Sequence, residues 1–194
     1  MKEVPFFHDK IVTKVYAKEG KSYAITSNGK VYAWGLNLKK ELGLGKKTET
    51  YIKTPQEVTI PDNRVVSRLA LGEHHTLALT EDGKLYAWGK NKDGRLGIVT
   101  YFFMNMFRKT DRSFKYTATE IPFFQDKEVI DIAAGQEHSL AMTSDGKVYS
   151  WGCNSFGQLG LGMEDTYLRS LIREEKGKLQ DVILPQEISS FQAL

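Results

Sequence analysis

Apolar and polar positions alternate with a period of two over short runs, and the same runs recur along the chain. Residues 129–134, Ser139–Thr143 and Lys147–Trp151 read as three short strands, and the alternation in the third is informative. Ser144-Asp145-Gly146 joins the second run to the third, and Glu81-Asp82-Gly83 and Ser27-Asn28-Gly29 stand at the matching places upstream. Asx-Gly between alternating runs predicts a hairpin with a type I′ turn, in which both central residues take positive φ. A fourth strand is expected around Gln56-Glu57-Val58 and Thr119-Glu120-Ile121.

The unit occurs three times. Its Trp-Gly pairs begin at 34, 88 and 151, giving periods of 54 and 63 residues, and a period of this size predicts a stacked array. Val4-Pro5-Phe6-Phe7 matches Ile121-Pro122-Phe123-Phe124, and Leu184-Pro185-Gln186-Glu187 echoes Thr54-Pro55-Gln56-Glu57. The units therefore run over about 4–58, 59–121 and 122–188, within a single repeat domain over 1–194. In the third strand, Tyr32 with Trp34, Tyr86 with Trp88 and Tyr149 with Trp151 share one face, while smaller residues share the other. Large groups opposite small ones suit sheets stacked face to face. The fold class expected is all-β: four-stranded antiparallel β-propeller blades, three of them, forming an open arc.

Composition adds bounds. Apolar content of 41% and charged content of 26% are those of an ordinary globular domain, and the chain of 194 residues can bury a core. A net charge of +3 argues against a dedicated nucleic-acid binder. The single cysteine, Cys153, rules out an internal disulfide and fits a reducing compartment. No apolar run reaches the roughly 18 residues of a spanning helix, so the expected location is intracellular, cytoplasmic or nuclear, without membrane insertion. Nothing in the sequence calls for a cofactor or a metal. His75-Thr76 and His138-Ser139 resemble a base beside a nucleophile, yet neighbours on a strand point to opposite faces and cannot pair. A backbone group nearby is the expected partner of each histidine.

Three motifs bring a resemblance. Gly-x-x-His-Ser/Thr (at 72 and 135), Asp-Gly-Lys-Val/Leu-Tyr-x-Trp-Gly (at 82 and 145) and Asn-x-x-Gly-Gln-Leu-Gly-x-Gly (from Asn154) are similar to the regulator-of-chromosome-condensation repeat family. The resemblance covers nearly the whole chain. It implies a seven-bladed propeller in full-size members, of which three units would be an arc. It also implies a possible activity, guanine-nucleotide exchange on a Ran-type small GTPase. Two departures stand out: Lys21 replaces the repeated histidine, and Ile98-Val99 replaces Leu-Gly.

The copies differ most in their spacers. One insertion, about 98–116, mixes aromatic and basic residues; the other, about 163–182, has the apolar spacing of a short helix that Asp165 could cap. Tyr101, Phe102, Phe103, Met106, Phe107 and Arg108 are the candidate partner-binding residues, being of the types enriched at interface centres. Function is therefore expected where the copies differ: in Lys21, in the two insertions and at the arc's uncovered ends. The expected function is a non-enzymatic protein–protein interaction scaffold, its edge blades covered by another chain or by further blades. The alternative is the exchange factor that the resemblance implies.

Overall fold

A computed structural model describes residues 3–45, 48–99, 114–162 and 181–189. Among the described residues, twelve strands form three sheets, each built from four consecutive antiparallel strands. The first holds β1 (Val12–Lys18), β2 (Lys21–Thr26), β3 (Val31–Leu36) and β4 (Tyr51–Val58). The second holds β5 (Val66–Leu71), β6 (His75–Thr80), β7 (Leu85–Lys90) and β8 (Phe114–Glu120). β9 (Val129–Ala134), β10 (His138–Thr143), β11 (Val148–Gly152) and β12 (Val182–Glu187) make the third. The first strands of successive sheets lie beside one another, β1 by β5 and β5 by β9, so they form the inner edge of an arc of three blades. The 114–116 end of the first insertion lies in β8, and Val182 of the second opens β12. Residues 100–113 of the first and 163–180 of the second, with the helix expected in the second, fall outside the described residues.

The Asx-Gly hairpins differ from the expected turn. Gly146 N–H donates to Thr143 O at 2.9 Å and Thr143 N–H to Lys147 O at 2.9 Å, enclosing three residues instead of two. Only the glycine takes positive φ, +82° at Gly146. This is a type I turn closed by a left-handed glycine. The threonine before each turn explains the choice: its hydroxyl donates to the Asx carboxylate or amide oxygen, at 2.7 Å for Thr26–Asn28, 2.6 Å for Thr80–Asp82 and 2.5 Å for Thr143–Asp145. That bond favours the right-handed turn conformation at the Asx residue.

The blades do not bury their apolar residues internally. Tyr23, Ile25, Val31 and Leu42 of blade 1 share one core with Ala78, Tyr86 and Trp88 of blade 2. Leu77, Leu79, Leu85 and Leu96 of blade 2 share another with Phe124, Tyr149 and Trp151 of blade 3. The aromatic faces of β7 and β11 look back at the preceding blade, and the smaller faces of β3 and β7 look forward. The Pro-Phe-Phe segments form one-turn 3-10 helices that bring Phe7 to 5.8 Å from Tyr32 and Phe124 to 5.5 Å from Tyr149, ring centre to ring centre.

Gly152 of the third Trp-Gly pair lies at φ +109°, and a Cβ there would sit 2.7 Å from Glu137 O. At Gly146 a Cβ would meet nothing within 4 Å. Gly146→Ala is expected to cost about 1 kcal/mol of unfolding free energy in urea titration. Gly152→Ala should cost at least twice as much, because strain and a backbone clash act together.

Candidate interaction surface

The meander sorts connections onto two faces. The β1–β2, β5–β6 and β9–β10 turns share a face with the β3–β4, β7–β8 and β11–β12 connections; the Asx-Gly hairpins lie opposite. Both insertions therefore spring from one face. The first leaves after Ile98, whose carbonyl accepts from Asn91 Nδ2 at 2.9 Å, and returns at Phe114, paired with Lys90. Tyr101, Phe102, Phe103, Met106, Phe107 and Arg108 lie outside the described residues.

On that face, polar side chains cross from blade to blade. Arg95, fully buried, reaches Glu137 of blade 3 at 2.9 Å and Asp93 at 3.0 Å. Burial acts to raise the Glu137 carboxyl, but the hydrogen bond and charge of Arg95 outweigh it, leaving it below the usual range. Asp181 moves the other way: burial raises it, the Asn154 N–H opposes, and the Asp93 carboxylate raises it further. At the equivalent place between blades 1 and 2, Glu41 lies 3.9 Å from His74. Position 41 is thus acidic and faces a histidine, whereas position 95 is basic and faces a glutamate. The sequence carried this signal at a variable position of the Leu-Gly loop, where Glu41, Arg95 and Gln158 align.

Behind this rim lie the histidines. His75 lies 3.0 Å from Ser139 Oγ of the next blade, so its partner is a side chain and not the expected backbone group. Ser139 donates its only proton to Arg95 O at 2.8 Å, and Trp151 Nε1 donates to the same oxygen at 3.0 Å. His75 Nε2 is therefore the donor, and its imidazole cannot take the serine proton as a general base would. Both residues are fully buried, which closes them to substrate. The motif's glycine also has a reason: a Cβ at Gly72 would collide with the His75 ring.

Lys21 does the equivalent work between blades 1 and 2. Its ammonium donates to Gly72 O at 2.8 Å and to Glu73 O, with the side chain 1% exposed. Burial pulls its pKa down to about 8. Lys21 is thus a packing residue, unavailable to a partner. Tyr23, where the later blades have leucine, completes this joint: its hydroxyl donates to Glu41 O at 2.8 Å and accepts from Trp88 Nε1 at 3.2 Å. Sequence reading passed over it because tyrosine also fits a plain core position.

His75 is expected to make stability depend on pH. Burial, followed by the charges of Arg95 and Lys21, holds its folded pKa well below 6.5. The unfolded chain then binds the proton first, so stability present above pH 6.5 is lost as pH falls below that value. In urea titrations, His75→Gln should flatten this decline. A cycle of His75→Ala and Ser139→Ala at pH 7.5 should give a coupling of about 1 kcal/mol.

Comparison with known proteins accords with this architecture. The profile described as "Regulator of chromosome condensation (RCC1) repeat" matches residues 28–79, 82–142 and 145–193. The first two matches start at a β2–β3 type hairpin and run into the second strand of the next blade, so each of them straddles a joint. Protein pim1 of Schizosaccharomyces pombe is 37% identical over 174 residues, which are 86% of this chain and 32% of that protein. The human E3 ubiquitin-protein ligase HERC2 is 35% identical over 173 residues, covering 3% of its own length. The structure of Prp20p from Saccharomyces cerevisiae, described with its binding to Gsp1p and histones, aligns with a TM-score of 0.71 at 26% identity, over 91% of this chain and 38% of that one. The chain thus spans about a third of the length of pim1. By three matched repeats covering most of its length, it belongs to the regulator of chromosome condensation repeat family.

Proposed function

We propose that the chain is a non-enzymatic protein–protein interaction scaffold, working inside the cell in cytoplasm or nucleus. The observation that carries this reading is the division of labour between repeat and insertion. His75, Tyr86, Trp88, Tyr149 and Trp151 are engaged in joining blades, whereas both insertions spring from one face. On this reading Tyr101, Phe102, Phe103, Met106, Phe107 and Arg108 anchor the partner, aromatic rings supplying area and Arg108 a planar donor. The charged rim around Arg95 and Glu137 frames the same face.

The second reading is nucleotide exchange on a Ran-type small GTPase. Its support is the similarity to Prp20p, described with its binding to Gsp1p and histones. Exchange of that kind breaks no bond in the protein; it stabilises the nucleotide-free GTPase by binding it in preference to the loaded form. In that case too, the partner-facing surface would be a propeller face.

Changing Phe102, Phe103 and Phe107 together to Ser should abolish retention of partners in a pull-down while leaving the melting temperature unchanged. Unchanged retention would remove the insertion from consideration. In parallel, wild-type chain should not accelerate release of fluorescent nucleotide from Ran; acceleration would favour the second reading.

A further inference from the structure

One Asx-Gly hairpin differs chemically from the other two. Blades 2 and 3 turn through Asp82-Gly83 and Asp145-Gly146, whereas blade 1 turns through Asn28-Gly29. Asn28 is the only asparagine in the chain that a glycine follows. With no side chain to crowd it, a glycine nitrogen reaches the amide carbon of a preceding asparagine more readily than any other residue's. Asn28 is exposed. The equivalent Asp82 keeps 51% of its side chain exposed with a blade on either side, so access to this turn does not depend on what adjoins blade 1.

The turn prepares the electrophile and withholds the nucleophile. The Thr26 hydroxyl donates to Asn28 Oδ1 at 2.7 Å, and the Lys30 N–H donates to the same oxygen at 3.4 Å. Both bonds draw electron density from Cγ, and both hold the oxygen of the amide and not its nitrogen. The Gly29 N–H, however, is committed to Thr26 O at 2.8 Å. Gly29 is also wedged into the joint between blades 1 and 2. Its carbonyl accepts from Val66 N at 3.1 Å, and a Cβ on it would lie 2.3 Å from Val65 Cγ1. The nitrogen can therefore attack only after the hairpin has left the joint, which is a local opening of the fold.

We propose that Asn28 is a site of spontaneous covalent modification, through a cyclic imide with Gly29, and that opening of the joint between blades 1 and 2 sets its rate. The Gly29 nitrogen gives its proton to solvent base and bonds to Asn28 Cγ. The bond from Cγ to the amide nitrogen breaks, and ammonia leaves. Water then opens the imide at either carbonyl, giving aspartate or, with the chain routed through the side chain, isoaspartate. The two products differ in their effect. Aspartate at 28 reproduces Asp82 and Asp145, whose carboxylates accept the threonine hydroxyl at 2.6 and 2.5 Å, so the turn accommodates it. Isoaspartate lengthens the main chain inside a closed turn and displaces Gly29 from Val65 and Val66, so it weakens the joint. The inference stands apart from the proposed scaffold function, since it uses no residue of either insertion.

Ageing the full chain in warm, mildly alkaline buffer, followed by trypsin and mass spectrometry, tests it. Peptide 22–30 carries the site, and electron-transfer fragmentation separates the two linkages. Asn28 should convert ahead of the other asparagines, yet about 10-fold or more slower than in the free synthetic peptide 22–30, where no joint withholds Gly29. Val65→Ala, which removes the methyl groups packed on Gly29, should speed conversion about five-fold. Chain holding isoaspartate should melt at a lower temperature than fresh chain, whereas Asn28→Asp should melt with the wild type. An Asn28 that converts no faster than the other asparagines would overturn the proposal. So would a rate equal to the free peptide's, a rate indifferent to Val65→Ala, or unchanged melting of the isoaspartate form.

Discussion

Every feature of this molecule follows from one constraint: a four-stranded sheet with two apolar faces cannot bury either face alone. The cores lie between sheets, and the positions that recur in sequence are the ones that make the interval between sheets close-packed. Tryptophan and tyrosine project backward, valine, leucine and alanine project forward, and a flat Leu-Gly loop covers the indole. Close packing leaves no tolerance for a side chain on that glycine. Some polar groups that enter this interval are satisfied across it, as Ser139, Arg95 O and Trp151 show.

Much of this was legible in the residues. The alternation in Lys147–Trp151 gave both the strand and the two-faced sheet, and the threefold recurrence gave the blades. Less was legible wherever a side chain's partner lies in another repeat. The histidine's partner is a serine 64 positions away, brought close only by stacking. Lys21 was read as a departure from the repeat where function could lie, because a lysine in sequence says nothing of burial, yet two carbonyls of the next blade accept from it. The Asx-Gly turns were placed correctly but given the wrong geometry. The deciding group was the preceding threonine, which turn rules based on the central pair do not weigh.

The candidate face was legible only in part. Composition singled out the aromatic and basic insertion, but which side of the blades it leaves from is a property of the meander. Topology adds that both insertions leave the same side and that the charged rim accompanies them. The rim itself was hidden in plain view: Glu41, Arg95 and Gln158 align in sequence, and their differences acquire meaning only once His74 and Glu137 stand opposite.

Those opposite pairs bear on how such an array changes over generations. Near-identical repeats in a gene invite unequal recombination, which removes or duplicates one unit cleanly in frame. Loss of the middle blade here would seat Glu41 against Glu137, two carboxylates in a confined interval, where Arg95 now supplies the cation. It would also leave Tyr23 projecting a hydroxyl into a socket shaped around leucine. Each junction is individually keyed, so one blade could not stand in for another without mismatching its neighbour. The order of the blades is thereby written into their chemistry, and the array is protected against the copying errors that its own repetitiveness promotes.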